Sequence, residues 1–283
     1  MRPSLINVFK QIVLSLILLS GLHLTNCKVV DDCSILEPSC NPLATLLVLD
    51  FLNPRSIAGL NFWFDASAAG KIDGATINTW PDSSGNGYLG IASGSPVFRS
   101  NAFGSRPGVT FNSSSVVAAN VSGFSQDFVF AFVVKRSSFG TFQNIINFDN
   151  ATGGSNGFSL YFNTFDNFRM DKTGCCGGVT PGTLYTTSGA VQITVTGSSS
   201  APPTFYDAGT AITTGTIQSY TPGSVVTLGA SSTGGQVLFG EIAEVVHYKT
   251  LLSAENITLL NCYLTRKYSI PSNLTCPSNL FPL

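Results

Sequence analysis

From residue 60 onward, short apolar segments alternate with clusters of Gly, Asn, Asp and Ser. Two such clusters are Ser83–Gly87 and Gly153–Gly157, and clusters of this composition separate strands. Short strands at fairly regular spacing predict an all-β, two-sheet antiparallel sandwich rather than a parallel α/β sheet. The predicted strands are Leu60–Phe64, Pro107–Phe111, Phe128–Lys135, Ile145–Phe148, Gly157–Phe162, Val191–Thr196, Thr204–Tyr206, Val225–Leu228 and Val237–His247.

Two local signals add detail to this sandwich. Asp207-Ala208-Gly209 lies between two apolar strands and predicts a hairpin tip. Near the C-terminus, Ser253 is a favoured helix-capping residue, and the apolar positions after it recur at helical spacing. We therefore predict one C-terminal helix. Its apolar face consists of Ile257, Leu260, Leu264 and Tyr268.

Residues 1–26 have the parts of an exported signal peptide. Arg2 and Lys10 are basic, and the apolar run Ile12–Leu19 is about eight residues long, whereas a bilayer span needs about 20. Leu24-Thr25-Asn26-Cys27 then resembles a lipobox, in which Cys27 becomes the lipid-bearing first residue of the mature protein. The Asn before the cysteine departs from the usual Gly or Ala, and this looser form resembles lipoproteins of spirochaetes. An ordinary secretory signal is the alternative.

The lipid predicts a membrane anchor without a transmembrane helix, because two or three acyl chains hold a protein stably. Lys28, directly after Cys27, favours the outer membrane or cell surface over the inner membrane. Residues 27–56 are predicted to form a lipidated tether, whose apolar run Leu43–Leu52 either docks on the domain as a short helix or lies at the lipid surface. The sandwich is predicted over residues 57–270, with a tail over 271–283.

The chain has seven cysteines, an odd number. Lipidation of Cys27 leaves an even number that can all pair in an oxidising compartment. Cys33 with Cys40, and Cys262 with Cys276, are the predicted disulfides, because each pair closes a short loop. The adjacent Cys175-Cys176 either forms a strained ring or reaches two separate partners. A zinc site is the alternative, but no C-x-x-C spacing occurs and the mature chain has one histidine.

Charged residues make up only 10% of the chain. Loss of Arg2 and Lys10 with the signal peptide leaves 12 of the 14 basic residues against 15 acidic ones, a net charge of −3. A chain with no basic patch is not expected to bind nucleic acid. Low charge with abundant Ser, Thr and Asn is instead typical of exported β-proteins, whose exposed strand faces accommodate hydroxyl side chains.

Several short motifs resemble the concanavalin A-like lectin/glucanase superfamily, in its bacterial laminin-G-like branch. They occur in the order expected for that family and frame roughly residues 59–270. The resemblance implies a jelly-roll sandwich that recognises sugars or proteins outside the cell, sometimes with calcium. It is less specific for function, because the same sandwich serves lectins, glycosidases, adhesins and spacers. The motifs are Leu60–Ser67, Trp80–Gly87, Ser105–Phe111, Gly240–Tyr248 and Leu252–Tyr268.

Carboxylates that could hydrolyse a glycoside are scarce in the sequence. Glycosidases need two carboxyl groups close together, and the glucanases of this superfamily carry them as Glu-x-Asp-x-x-Glu on one strand. Here the nearest candidates are Glu241 and Glu244, and a spacing of three along a strand predicts opposite faces. No Gly-x-Ser-x-Gly motif accompanies His247 to supply a serine nucleophile, so we expect His247 to be an ordinary strand residue. We therefore predict that the protein is not an enzyme.

Asp82 and Asn86 are the candidates for calcium binding. They flank a Gly-rich turn and could offer oxygen ligands, with backbone carbonyls completing the shell. The alternative is that both residues stabilise the turn through their own side-chain hydrogen bonds. Calcium is the one cofactor that the sequence suggests.

Aromatic and charged residues near two predicted turns form a candidate ligand-binding rim. Trp80 ends a strand beside a turn, and the loop that follows Tyr161 mixes aromatic and charged groups. Trp63 is instead predicted to pack in the core, because Phe62 and Phe64 alternate with it. The rim candidates are Trp80, Phe165, Phe168, Arg169 and Asp171.

These features together predict a lipid-anchored recognition module of the cell envelope. Its partners would be the membrane, through the lipid, and a glycan, a matrix protein or another envelope protein. A structural envelope lipoprotein without a specific ligand is the first alternative, and a carbohydrate-active hydrolase is a remote one. An exposed sheet face lined with aromatic and amide groups would favour glycan binding, whereas a uniform Ser/Thr face would favour a spacer.

Overall fold

The computed structural model describes residues 53–70, 72–118, 121–149, 157–172, 180, 185–213 and 223–276. The predicted signal peptide, the lipidation site Cys27 and most of the tether lie outside these ranges. So do four disulfide candidates, namely Cys33, Cys40, Cys175 and Cys176. Within the described ranges, every helix is too short or too polar to cross a bilayer.

The described chain forms two antiparallel sheets packed face to face, which confirms the predicted β-sandwich. The 8-stranded sheet has the order β13-β12-β11-β7-β15-β5-β4, with β1 pairing beside β15, and the 7-stranded sheet has the order β10-β9-β8-β14-β6-β3-β2. The strands are β1 (Leu60–Asp65), β2 (Thr79–Pro81), β3 (Leu89–Ser93), β4 (Val97–Phe103), β5 (Arg106–Phe111), β6 (Ser115–Ala118), β7 (Phe128–Arg136), β8 (Gln143–Asp149), β9 (Phe158–Phe162), β10 (Phe168–Lys172), β11 (Ala190–Gly197), β12 (Thr204–Asp207), β13 (Thr210–Thr213), β14 (Val225–Leu228) and β15 (Gly240–Tyr248).

Alternating side chains of the 8-stranded sheet fill two separate hydrophobic layers. In β1, Phe62 and Phe64 point into the core between the sheets, while Trp63 points to the opposite face, as predicted. In β7, Phe128, Phe130, Phe132 and Val134 enter the same inter-sheet core, and the residues between them pack on the outer layer. A strand buried on both faces reads as a continuous apolar run, which is the pattern of β7.

The outer layer is covered by the predicted C-terminal helix, α2 (Ala254–Lys267). The hydroxyl of Ser253 accepts a hydrogen bond from Asn256 N, which satisfies one of the free N–H groups of the first turn. Three of its predicted apolar residues, Leu260, Leu264 and Tyr268, pack on the sheet. The helix is tied to the chain after it by a disulfide between Cys262 and Cys276, with a Cα–Cα distance of 5.7 Å.

A short 3₁₀ turn, Pro54–Ser56, brings the chain into the sandwich on the helix side. The hydroxyl of Tyr248 donates a hydrogen bond to the carbonyl oxygen of Pro54, at 2.9 Å. The turn also lines a small cavity together with Leu259, Leu260 and Tyr263 of α2. Residue 53 is therefore fixed beside the helix. A second, shorter helix, α1 (Ala66–Ala69), follows β1 directly and is capped by Asp65.

Strand β15 contains a bulge that changes the direction of one carboxylate. The pairing of β15 with β7 shifts register between Ile242 and Glu244. Ile242 and Val245 both face the inter-sheet core, so Ala243 and Glu244 both point to the helix side. The prediction that Glu241 and Glu244 lie on opposite faces is therefore wrong, because an inserted residue interrupts the two-residue period of the strand.

His247 lies in the inter-sheet core among aromatic rings. Its side chain is fully buried, and its ring stacks on Phe130 with centroids 4.3 Å apart. Asn61 Nδ2 donates to its Nδ1 at 3.1 Å, while Nε2 has no hydrogen-bond partner in the described ranges. Burial lowers the pKa of His247 well below its ordinary value. The imidazole is thus neutral in the folded protein.

This burial predicts that the protein loses stability in mild acid. Below pH 6.5 the imidazole of the unfolded chain takes up a proton that the folded chain cannot bind. The free energy of unfolding is therefore expected to fall by up to about 1.4 kcal/mol for each pH unit below that value. Urea unfolding of the wild type and of His247→Gln, measured from pH 7.5 to 5.5, checks the sign. If the free energy of unfolding depends on pH equally in the two proteins, groups other than His247 cause the loss of stability in acid.

Candidate functional site

Two of the predicted rim residues are core residues. Trp80 is fully buried, donates from Nε1 to the carbonyl oxygen of Asp65 at 2.8 Å and packs edge-on against Phe64. Phe168 is also fully buried and contacts the ring of Phe132 with centroids 5.7 Å apart. Both lie on strand positions that face the inter-sheet core. The prediction that Trp80 and Phe168 belong to an exposed rim is therefore wrong.

The other three rim candidates lie at one end of the 7-stranded sheet. Phe165, in the turn before β10, is 74% exposed. Arg169 and Asp171 alternate along β10 with the inward-facing Phe168 and Met170, so both point out of the sandwich. Arg169 Nη2 lies 3.1 Å from Asp171 Oδ1. The ion pair leaves this part of the surface without net charge.

Residues that pair across neighbouring strands form a row of side chains, which begins at this end and crosses the outer face of the 7-stranded sheet. Asp171 pairs with Ser159, Ser159 with Asn147, and Asn147 with Thr227. The same register continues across β6 to Ile91 and Thr79. One half of the face is thus polar, and the other half carries exposed Ile91. We call the polar half the amide face. It consists of Asp171, Ser159, Asn147 and Thr227 in this row and of Asn144, Tyr161 and Arg169 in the adjacent row.

Three buried polar atoms on the amide face have no hydrogen-bond partner in the described part of the chain. They are Asn144 Oδ1, Asn147 Oδ1 and Arg169 Nε. The amide nitrogens of the two asparagines are used, because Asn144 Nδ2 donates to Gln236 Oε1 at 2.7 Å and Asn147 Nδ2 donates to Ser159 Oγ at 2.6 Å. The oxygens are thereby fixed in orientation. A buried polar atom without a partner costs free energy, so such atoms require an explanation.

An aromatic pair borders these atoms. The rings of Phe142 and Tyr161 lie with centroids 5.8 Å apart, and Phe142 is 43% exposed. The hydroxyl of Tyr161 donates a short hydrogen bond to Asp171 Oδ2. Burial and this carboxylate raise the pKa of Tyr161. The phenol therefore stays protonated and keeps Asp171 in place.

Sequence reasoning missed Asn144 and Asn147 as members of one face. They are three residues apart, and the pairing of β8 with β9 shifts register between Asn144 and Ile146. This bulge places both asparagines on the outer face, where regular alternation would separate them. The available signal was that β8 contains three amide side chains, those of Gln143, Asn144 and Asn147.

The two calcium candidates stabilise the turn between β2 and β3. Asp82 Oδ1 accepts from the backbone N–H groups of Trp63 and Ser84, each at 2.8 Å. Asn86 Nδ2 donates to the carbonyl oxygens of Leu60 and Asn61. These bonds agree with the alternative interpretation of Asp82 and Asn86 as turn residues. Calcium binding at this turn stays a prediction, and Asp82 Oδ1 already accepts the bond from Trp63 N that fixes the turn to β1.

A second polar cluster lies under α2 and joins several of the motifs that carry the family resemblance. Glu244 is fully buried and accepts hydrogen bonds from Trp63 Nε1 at 2.6 Å and from the hydroxyls of Tyr263 and Tyr268, both at 2.8 Å. Lys267 Nζ lies 2.9 Å from Glu244 Oε2 and 2.8 Å from Asp65 Oδ2. We call this set the helix clip, because it joins the end of α2 to the sheet.

Ionisation of the helix clip follows from burial and from its opposite charges. Burial raises the pKa of Glu244, against the attraction of Lys267. Burial alone would lower the pKa of Lys267, but the carboxylates of Glu244 and Asp65 raise it overall. Glu244 and Lys267 are thus each charged in the folded protein only because an oppositely charged partner lies beside them. The clip stabilises the fold, and its carboxylates are already bound by groups of the protein.

The sequence matches no family model, and no curated protein matches it. Several solved structures resemble the fold. Domain 4 of AbnA, a GH43 extracellular arabinanase from Geobacillus stearothermophilus solved with arabinotriose, has a TM-score of 0.55 and 15% identity, covering 72% of this chain and 99% of that one. A sialidase from Trypanosoma rangeli, solved with sialic acid, has a TM-score of 0.54 and 16% identity over 74% of this chain.

The binding domain of botulinum neurotoxin DC, solved with rat synaptotagmin II, has a TM-score of 0.55 and 14% identity over 75% of this chain. The alignments cover only 33% of the sialidase and 52% of the neurotoxin chain. All these neighbours are β-sandwich domains of the lectin/glucanase type. This chain has the same fold. Identities at this level show the architecture alone.

Proposed function

We propose that the protein is a glycan-recognition module of the concanavalin A-like kind, anchored in the cell envelope through a lipid on Cys27. The amide face carries this proposal. It places the exposed aromatic ring of Phe142 beside the partly exposed ion pair of Arg169 and Asp171, on one outer face of the sandwich. An aromatic ring beside polar groups distinguishes a glycan-binding face from a uniform Ser/Thr surface.

The chemistry of the amide face suits a neutral, hydroxyl-rich ligand. Asn144 and Asn147 are buried, so the polar groups that a sugar hydroxyl can reach are the guanidinium of Arg169 and the carboxylate of Asp171, whose side chains are 28% and 22% exposed. Phe142 offers an apolar surface for a sugar ring. Arabinotriose in the arabinanase domain and sialic acid in the sialidase support a saccharide as the ligand class, because those proteins share this fold.

We propose recognition without hydrolysis. Glycoside hydrolysis uses two carboxyl groups about 5–9 Å apart. Among the described side chains of β8, β9 and β10, Asp171 is the one carboxylate, and it is bound by Tyr161 and Arg169. This arrangement supports a role for Asp171 in orienting its neighbours rather than in attacking a sugar.

A partner protein is the second candidate ligand. Leu89 and Ile91, at the apolar end of the same sheet face, are 46% and 51% exposed. The two side chains are neighbours on one strand face, as in an apolar contact between proteins, and the neurotoxin domain of this fold was solved with a protein. Substitution of Leu89 and Ile91 by Ser would abolish such an interaction and leave saccharide binding at the amide face intact.

Replacing Phe142 with Ala is expected to weaken saccharide binding by about tenfold or more, because it removes the exposed apolar surface on which a sugar ring can pack. The full-length protein is first screened on an array of neutral oligosaccharides, including arabino-oligosaccharides, with calcium and with chelator. Affinity for the best ligand is then measured by titration calorimetry for the wild type, Phe142→Ala and Asn101→Ala. Asn101 is exposed on β4 of the other sheet and serves as the surface control.

Two outcomes would count against the amide face. Equal affinity of the wild type and Phe142→Ala, with both proteins folded, would place the ligand elsewhere. An array without binding would favour a structural envelope lipoprotein. Loss of binding in chelator would show calcium dependence and would direct mutagenesis to Asp82 and Asn86.

A further inference from the structure

We infer that the protein has a second ligand site, for an anionic sugar, in a groove on the helix side of the 8-stranded sheet. The groove has a volume of about 270 Å³ and lies between the turn that joins β4 to β5, the start of β11 and the end of α2. Pockets for drug-sized ligands have volumes of about 300–1,000 Å³. This smaller groove suits a single sugar ring. It is separate from the amide face, which belongs to the other sheet.

Three basic side chains line this groove, from Arg106, Lys135 and Lys267. Among the described residues that line it, no side chain is acidic. The carboxylates that pair with Lys267 belong to the helix clip, and they lie behind the groove wall, buried under α2. A ligand that enters the groove therefore contacts basic groups, and it does not contact the two carboxylates that balance Lys267.

Two of these basic groups have capacity for a further anion. Arg106 is exposed and makes no side-chain hydrogen bond or ion pair within the described ranges. Lys135 Nζ donates to the carbonyl oxygen of Ala102 at 3.1 Å, and its nearest carboxylate oxygen, on Glu241, is 3.8 Å away. An ammonium group has three donors. A guanidinium group binds carboxylate or sulfate oxygens in a two-point geometry.

The rest of the wall combines an aromatic pair with small residues, three of which are serines. Phe103 and Tyr268 form an edge-to-face pair with centroids 5.6 Å apart, and both line the groove. The hydroxyl of Tyr268 is directed away, because it donates to Glu244 Oε2. A ligand with a ring that packs on apolar groups and an anionic substituent at one edge matches this distribution. A uronic acid or a sulfated sugar has both features.

The test measures binding of D-glucuronate, glucose 6-sulfate and D-glucose to the full-length protein by ligand-observed NMR titration. At least one anionic sugar is expected to bind saturably and D-glucose is not. Arg106→Gln and Lys135→Met are each expected to lower that affinity by about tenfold, because each removes a charge-assisted contact. Arg99→Gln is the matched control, since Arg99 is exposed on β4 but does not line the groove.

Phe142→Ala separates this inference from the proposed function. It is expected to leave binding of the anionic sugar unchanged, even if the amide face binds nothing. The inference is overturned if neither anionic sugar binds, if acetate binds as tightly as glucuronate, or if Arg106→Gln and Arg99→Gln have equal effects. Preference between the carboxylate and the sulfate ester identifies which anionic group the groove accepts.

Discussion

Replacing Lys267 with Met is expected to lower the free energy of unfolding by about 3–5 kcal/mol near neutral pH. The substitution keeps the apolar stem and removes the ammonium group that contacts Glu244 and Asp65 at 2.9 and 2.8 Å. Glu244 is fully buried, and Asp65 is nearly so. A buried charge that loses its partner retains its desolvation cost, and this cost dominates the effect.

Chemical unfolding of the wild type, Lys267→Met and Lys249→Met measures this change. Lys249 is exposed and makes no ion pair among the described residues, so its variant should change stability by less than about 0.5 kcal/mol. Adding Glu244→Gln to Lys267→Met should recover part of the loss, because the double variant removes the unpaired charge. If the losses of stability from Lys267→Met and Glu244→Gln simply add in the double variant, Lys267 acts through packing alone.

The same variant should show a characteristic pH dependence. Burial raises the pKa of Glu244, so ionisation of this carboxyl opposes folding at pH values above its unfolded pKa. Without Lys267 this penalty is uncompensated at pH 7 and disappears as the pH falls through 4.5, where the unfolded chain is also protonated. The stability difference between wild type and Lys267→Met should therefore shrink in acid. A difference independent of pH would contradict the charge mechanism.

Replacing Phe148 with Ala is expected to cost about 3–5 kcal/mol, the range found for large-to-small changes of buried aromatic residues. Phe148 lies at the centre of the inter-sheet core and links side chains from both sheets and a loop. Its neighbours cannot move in to fill the space without leaving their own strands. Its ring contacts Phe124 and Phe130 at 4.7 Å and Phe158 at 4.8 Å between centroids.

Phe165→Ala is the matched control for this substitution. Phe165 is exposed on a turn, so removing its ring should change the free energy of unfolding by no more than about 0.5 kcal/mol. Thermal or urea unfolding of the two variants compares the same chemical change at a buried and an exposed position. Similar losses in both would mean that Phe148 is less central to the core than the structure indicates.

The architecture could be predicted from the sequence because the central strands carry a strong local signal. All nine predicted strands are present, and the two longest are the nine-residue strands β7 and β15. The last one begins at Gly240 rather than at Val237. The strands that were not predicted carry weaker signals, because they are short, half-exposed or interrupted by Gly and polar residues. They are β2, β3, β4, β6, β10 and β13.

The candidate site was less predictable because it depends on which way each side chain points. The two bulges, in β15 and β8, each bring residues three apart onto one face, Glu241 with Glu244 and Asn144 with Asn147. Regular alternation would place the two members of each pair on opposite faces of the sheet. A bulge depends on how the neighbouring strand pairs, and that pairing is distant in sequence. The rim prediction failed at Trp80 and Phe168 for a related reason, since composition cannot tell an inward aromatic residue from an outward one.

The position of the Pro54–Ser56 turn determines how the sandwich would be displayed. The hydrogen bond from Tyr248 fixes the beginning of the described chain on the helix side. Any segment attached at residue 53 therefore starts beside α2, and the amide face, on the other sheet, stays clear of that attachment point.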